Sequence, residues 1–255
     1  MKSDNYKYLA KFYDWVLWGN YSKYWEILNI LFDKYINLND SIKILDLWCW
    51  TWWILNYLNY PDKVEWIDLS SDMLNIAKKR FPNNSFYNMS FTDLNINWQY
   101  NFIYSIFDSL NHARNTEELY KIFFDVSSLL NKGWVFFFDF NTLSKFKTFN
   151  SEIYQIIKTE KDIISINREF IKPDCWRWNI EILTELSDKK WFYDKSISTV
   201  LEMSVEINSI VKELDKHFTK VFLYNLNDLN IFNIENNIID INSIDFYRVW
   251  FLCIK

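Results

Sequence analysis

The stretch Ile44-Leu45-Asp46-Leu47-Trp48-Cys49-Trp50-Thr51-Trp52-Trp53 opens as a buried apolar strand and runs into a segment with helical spacing. Four of its last six residues are tryptophan. With glycine at those positions the stretch becomes I-L-D-L-G-C-G-T-G-G. A glycine-rich turn between strand and helix has a physical purpose: the backbone bends sharply and lies against a ligand with no Cβ in the way. Tryptophan is the bulkiest residue to place there, and holding any L-residue at positive φ costs roughly 1–2 kcal/mol by itself.

Composition extends the anomaly to the whole chain. At an average usage of ~7% a chain this long carries about 18 glycines. This one has 2 Gly and 14 Trp. We expect that most of these tryptophans are glycines in the natural protein, the simplest cause being a UGA codon translated here as Trp and read as Gly in the source organism. The rival is a genuinely tryptophan-rich sequence, and the codons decide between them. Trp66 in V-E-W-I-D, Trp98 in N-W-Q-Y-N and Trp134 in K-G-W-V stand where strand starts and turns favour glycine. Trp176, Trp178 and Trp191 lie in polar turn contexts, whereas Trp15, Trp18, Trp25 and Trp250 fit either residue.

Outward from this stretch, the segments alternate. Amphipathic runs at Tyr6–Tyr13 and Tyr21–Tyr35 come first. Then follow strand Ile42–Leu47, helix Ile54–Leu58, strand Val64–Asp68, helix Ser71–Arg80, strand Ser85–Asn88, strand Asn101–Phe107, helix Thr116–Leu130 with Thr116 as N-cap, and strand Val135–Phe140. Strand and helix in turn, with strands apolar throughout, predict a parallel sheet covered on both faces: a Rossmann-like α/β core. Past Asn141, period-two alternation over 153–158, 163–170, 179–186 and 195–201 predicts antiparallel strands. A helix over 204–216, a strand over 220–226, a connector over 225–244 and a last strand over 245–254 complete the chain. The expected organisation is therefore an N-terminal helical segment (1–40), a core (41–144), a β insertion acting as cap (145–203) and a return to the core (204–255).

The glycine-restored string, with three further motifs in order, resembles the class I S-adenosylmethionine (SAM)-dependent methyltransferases, small-molecule type, over roughly residues 6–142. The resemblance implies about seven mostly parallel strands with an antiparallel last strand, SAM as cofactor and a small-molecule methyl acceptor, with N-, O- and C-methylation all compatible. It implies that Asp46 helps hold the methionyl amino group and that the loop Trp48, Cys49, Trp50, Thr51 and Trp52 packs its backbone on the cofactor. Asp68, about 20 residues beyond the loop, stands where a carboxylate accepts ribose hydroxyls, with Leu69 and Met73 in the same motif. Thr92 and Asp93 match the adenine-binding position. Phe107 and Asp108 end the fourth strand beside the methyl group, Tyr13 of the Tyr13-Asp14 pair closes the pocket, and Asn111 and His112 are candidates for substrate contact or catalysis. Each also has a structural reading: Asp46 and Asp93 as turn formers, Ser70 as helix cap, Tyr13 as core, His112 as a solvated strand end.

Bulk properties narrow the classes. A net charge of −5 without a basic stripe argues against nucleic acid. No apolar run approaches the ~18 residues of a membrane span, and Met1–Tyr6 lacks an apolar signal core. Cysteines at 49, 175 and 253 show neither metal-ligand spacing nor disulfide arithmetic. A reduced cytoplasm is the expected location, with no metal. Two rivals stand beside the methyltransferase. Restored glycines at 48, 50 and 53 also satisfy G-x-G-x-x-G, so an NAD(P)-dependent oxidoreductase would use Asp68 equally well. A non-catalytic scaffold follows if the tryptophans are genuine.

Overall fold

The computed structural model describes residues 9–13, 22–37, 41–51, 53–149, 153–187, 189–225, 231–233 and 247–255. Asp14, Trp15, Trp18 and Trp52 lie outside them, as does most of the 225–244 connector. Helix α1 (Ser22–Tyr35) precedes β1 (Ile44–Leu47), β2 (Val64–Asp68), α2 (Ser71–Arg80), β3 (Ser85–Asn88) and β4 (Tyr100–Ser105). Helix α3 (Thr116–Leu129) leads directly into β5 (Leu130–Asn141), followed by the short α4 (Leu143–Lys147). A second set of strands, β6 (Ile153–Lys158), β7 (Asp162–Lys172), β8 (Cys175–Leu186) and β9 (Lys189–Met203), comes next. Helix α5 (Ile207–Leu214), β10 (Lys220–Asn225), β11 (Ile231–Asn233) and β12 (Arg248–Ile254) end the chain.

The large sheet has eight described strands in the order β11-β10-β12-β5-β4-β1-β2-β3. β1 to β5 pair in parallel, and β12 runs antiparallel between β5 and β10. The alternation in β5 shows how sequence builds the layers. Phe136, Phe138 and Phe140 face one side with Leu119, Ile122 and Phe123 of α3 and Ile210 and Leu214 of α5. Val135 and Phe137 face the other, with Leu28 and Phe32 of α1 and Leu74 and Ala77 of α2. The chain lays β2 and β3 outward on one side of β1 and β4 and β5 on the other, so the order of strands reverses there and the carboxyl ends of β1 and β4 form the switch point where ligands bind in such sheets.

The remaining strands form a separate four-stranded antiparallel sheet, β6-β7-β8-β9. Its inner face, Ile164, Ile166, Ile180, Ile182 and Val200, packs with Leu9, Phe12 and Tyr13 and with Trp50 and Met73 at the switch point. No described helix is long and apolar enough to cross a membrane.

Several boundaries differ from expectation. Residues 53–57 form a 3-10 turn rather than an α-helix, because Pro61 disfavours helical geometry in the residue before it and so little chain cannot repay helix nucleation. The cap of α3 is Asn115, whose side chain accepts from the Glu118 N–H at 2.8 Å, one residue before the expected Thr116. Helix α5 starts at Ile207 instead of 204, since the Ser204 hydroxyl is committed to the Asn141 carbonyl at 2.8 Å.

Candidate active site

The loop after β1 takes the backbone that its glycine reading requires. Trp48 has φ 122° and Trp50 φ 54°, both in the left-handed half of φ space that favours glycine. The loop is fastened to β2: the Trp48 and Cys49 N–H groups both donate to the Ile67 carbonyl at 2.9 Å. Asp68 completes the attachment, accepting from the Trp50 N–H at 2.9 Å and the Ser70 N–H at 2.8 Å. Cys49 and Thr51 are buried, and the Thr51 carbonyl accepts from Arg80 at 3.0 Å.

The indoles themselves lie among the expected cofactor residues. Trp50 stacks on Tyr13 with ring centroids 4.4 Å apart, above the buried Met73. Trp48 packs between Phe91 at 4.6 Å and His112 at 5.3 Å. Leu69 is partly exposed, and Thr92 and Asp93 lie on the loop after β3, the Thr92 hydroxyl 2.7 Å from that of Ser90. Asp93 is exposed and makes a backbone turn to Ser90. Asp46 is 1% exposed, and among the described residues neither of its carboxylate oxygens has a partner in good hydrogen-bond geometry, although the Tyr104 hydroxyl lies beside them. Burial drives its pKa well up, opposed by the neighbouring Tyr104 hydroxyl and reinforced by the Asp68 charge. A buried carboxylate in this state calls for a cation, such as an amino group arriving with a ligand.

Beside the loop, a cavity of about 510 Å³ opens between the large sheet and the second sheet. Tyr13, Trp50, Phe107, Asp108 and His112 line it, together with Tyr24, Asn141, Lys145, Arg168, Trp178, Glu202 and Arg248. Phe107 and Asp108 follow β4 in two consecutive left-handed conformations, φ 60° and 50°. That turn is held by charge. The Asp108 N–H donates to the Asp139 carboxylate at 3.1 Å, while Arg248 donates to Asp108 at 2.8 Å, to Asp139 at 2.5 Å and to the Tyr24 hydroxyl. Burial is the largest influence on Asp108 and works to raise its pKa, but the Arg248 guanidinium, His112, a hydrogen bond from Glu202 and Lys145 together outweigh it and hold Asp108 below the usual carboxylate range. Burial, with Arg248 opposing and the Asp108 charge reinforcing, leaves Asp139 pushed up to about 6.

The expected pair Asn111 and His112 divides into two roles. Asn111 spends its amide on backbone, donating to the Asn141 and Met203 carbonyls at 3.0 and 2.7 Å and accepting from the Asn141 N–H at 2.8 Å. It joins the end of β5 to the end of β9. His112 faces the cavity with Nδ1 2.9 Å from the Leu201 carbonyl, which makes Nδ1 the protonated nitrogen and Nε2 the basic one. Burial lowers its pKa, against the pull of Asp108.

Sequence reasoning did not single out Tyr24, Asp139, Asn141, Lys145, Arg168, Glu202 or Arg248 for the site. Two carried a signal: Asp139 interrupts an apolar strand core in F-F-F-D-F-N, and Arg248 opens the apolar run of the last strand.

No family model and no curated protein matches the chain in sequence. Solved structures do match over its whole length. A SAM-dependent methyltransferase from Clostridium acetobutylicum superposes with a TM-score of 0.72 at 20% identity, covering 98% of both chains. The sugar N-methyltransferase KedS8 from a Streptoalloteichus species gives 0.73 at 14% identity, covering 96% of this chain and 92% of that one. The chain has the class I methyltransferase fold. An amino pentose methyltransferase from Micromonospora echinaspora, solved with SAM bound, shares that fold at a TM-score of 0.61 and 12% identity, covering 97% and 96% of the two chains. The expected architecture of parallel core, antiparallel last strand and added antiparallel sheet is the one observed.

Proposed function

We propose that the protein is a SAM-dependent methyltransferase acting on a small-molecule acceptor. The observation that carries this reading is the loop at the switch point, with positive φ at 48 and 50 and its backbone fastened to the Asp68 carboxylate. The loop backbone from 48 to 52, Asp68, Leu69, Met73, Thr92 and Asp93 would hold the nucleoside, Asp46 the amino group, and Tyr13, Phe107 and Asp108 the sulfonium end. SAM supplies a methyl group already activated on sulfur, so the chain's own contribution is to align the acceptor and keep water out, and positioning of this kind supplies several kcal/mol of the barrier.

The positive φ at 48 and 50 supports glycine at both positions in the working enzyme. With indoles there, the space between Tyr13, Phe91 and His112 is filled by side chain. With glycine it is open to a nucleoside. Reading the tryptophan codons as glycine in the source organism accounts for the loop, the composition and the fold together.

The second sheet roofs the cavity and selects the acceptor, and residues 145–203 serve as the cap. Polar small molecules suit a wall carrying this many buried charges, and two of the neighbours are named for sugar acceptors. Hydride transfer to NAD is the weaker reading, because the dinucleotide-binding sheet runs 3-2-1-4-5-6 in parallel, and here antiparallel β12 intervenes between β5 and β10.

Calorimetric titration with SAM and with NAD tests both points, using the chain as written and one with glycine at 48, 50, 52, 53, 66, 98 and 134. We expect SAM to bind the glycine form and only weakly, if at all, the tryptophan form. Equal SAM affinity would refute the steric argument, and NAD binding in place of SAM would overturn the function.

A further inference from the structure

Two carboxylates from different sheets meet on one amide. Asn141 Nδ2, at the end of β5, donates to Asp108 Oδ2 at 2.9 Å and to Glu202 Oε1 at 2.7 Å. Asp108 belongs to the left-handed turn after β4, Glu202 to β9 of the second sheet, and both line the cavity. Their surroundings are unequal. Arg248 closes on Asp108 and keeps it ionised. Glu202 is 2% exposed and has no ion pair among the described residues, its second oxygen accepting from Trp178 Nε1 at 2.6 Å. Two carboxylates sharing one desolvated site do not both ionise cheaply, and the one without a guanidinium takes the proton.

We propose that Glu202 is the catalytic proton acceptor for the nucleophilic N–H or O–H group of the methyl acceptor, with Asp108 remaining charged as the anchor beside it. This rests on the methyl-transfer reading above. As the acceptor's nitrogen or oxygen forms its bond to the methyl carbon, the electron pair of the broken carbon–sulfur bond stays on sulfur. The N–H or O–H proton passes to a Glu202 carboxylate oxygen. The sulfonium charge is thereby cancelled to a thioether, Glu202 becomes a neutral acid, and its proton returns to solvent when product leaves.

The local charges suit that task. Burial first and the Asp108 charge second push Glu202 up to about 7, against the bonds from Asn141 and Trp178 and the attraction of Arg248. Lys145 on α4, Arg168 on β7, Asp139 on β5, His112 after β4, Tyr24 on α1 and Cys175 on β8 are other ionisable groups around this end of the cavity among the described residues. A base titrating near the working pH is the effective kind. His112 is the less suited, since burial depresses its pKa and its Nδ1 is committed to the Leu201 carbonyl.

The test is carbon-13 NMR of glutamate carboxyls in the chain carrying Trp48→Gly, Trp50→Gly, Trp52→Gly and Trp53→Gly, the Glu202 signal being assigned by its loss in Glu202→Gln. Benzylamine serves as a protonated probe. We expect a midpoint near 7, a downward shift of about one unit with saturating benzylamine, and benzylamine binding about tenfold tighter above that midpoint than below it. Glu202→Gln should abolish the pH dependence. Trp178→Phe, which removes a donor to the carboxylate, should raise the midpoint. A Glu202 signal titrating in the ordinary glutamate range, no response to benzylamine, or unchanged pH dependence in Glu202→Gln would overturn the assignment. SAM titrated into the same samples reads the cofactor site separately: SAM binding without the Glu202 behaviour defeats this inference alone, and the Glu202 behaviour without SAM binding defeats the methyl-transfer reading beneath it.

Discussion

Trp191 stands 76% exposed at φ 70°, within the stretch between Lys189 and Tyr193 where β9 slips register against β8. Bulges of this kind favour glycine because the left-handed residue carries no Cβ penalty. Unlike Trp48 and Trp50, it buries little, so strain relief is not masked by lost packing. Trp191→Gly should raise stability by up to about 1 kcal/mol, the strain released less the added chain entropy. Urea unfolding of the two chains checks it, and a destabilised variant counts against glycine at 191. Glu202 makes a second prediction at this scale. Its pKa rises from 4.5 unfolded to about 7 folded, so between these values the native state holds a proton that the unfolded chain has released. The stabilisation is full below the unfolded value and is lost as pH rises through the folded one, on the order of 3 kcal/mol. Glu202→Gln should remove this slope, leaving the smaller one from Asp139, which has the same sign. Unfolding midpoints across that pH range decide it, and a wild-type curve level through the window contradicts the buried carboxylate.

At the scale of elements, the end of β4 depends on β12. Arg248, the first residue of the last strand, neutralises Asp108 and Asp139 across the sheet and holds a turn with two left-handed residues. Arg248→Gln leaves both buried acids without their cation and should cost about 3–5 kcal/mol, measured by chemical denaturation. A loss under about 1 kcal/mol, the range of exposed pairs, would mean the clamp is ornamental. Helix α2 offers a smaller test. Ser70 caps it by accepting from the Met73 N–H at 3.3 Å while its own N–H is held by Asp68, so Ser70→Ala should cost about 1 kcal/mol. Because Asp68 also fastens the loop, the same variant should leave the loop's attachment intact, which unchanged ligand affinity in the glycine form would show.

For the molecule as a whole, ligand binding must appear as stability. In the glycine form, SAM at a hundredfold excess over its dissociation constant should stabilise the fold by about 2.7 kcal/mol, read as a rise in melting temperature. The tryptophan form should show no such rise. Much of the plan behind this prediction was legible beforehand. Period-two runs and apolar strands of four to twelve residues declared β1 to β5 and the second sheet, because burial on one or both faces leaves its imprint on every residue of a strand. The sharp turn after β1 was legible because a tight turn constrains backbone conformation at residues that are neighbours in sequence.

The far wall of the cavity was not legible in that way. Glu202 and Arg248 lie 61 and 107 residues from Asn141, and nothing in their own neighbourhoods says that they converge. What the chain alone determined is the order of layers and the sharp loop after β1 at the switch point, since these follow from local periodicity and sterics. Which acids share a guanidinium, which histidine nitrogen bears the proton and which carboxylate is left to take one were decided only when β9, β12 and the end of β4 came together. Desolvation and Coulomb energy depend on distance through space, and separation along the chain does not encode it.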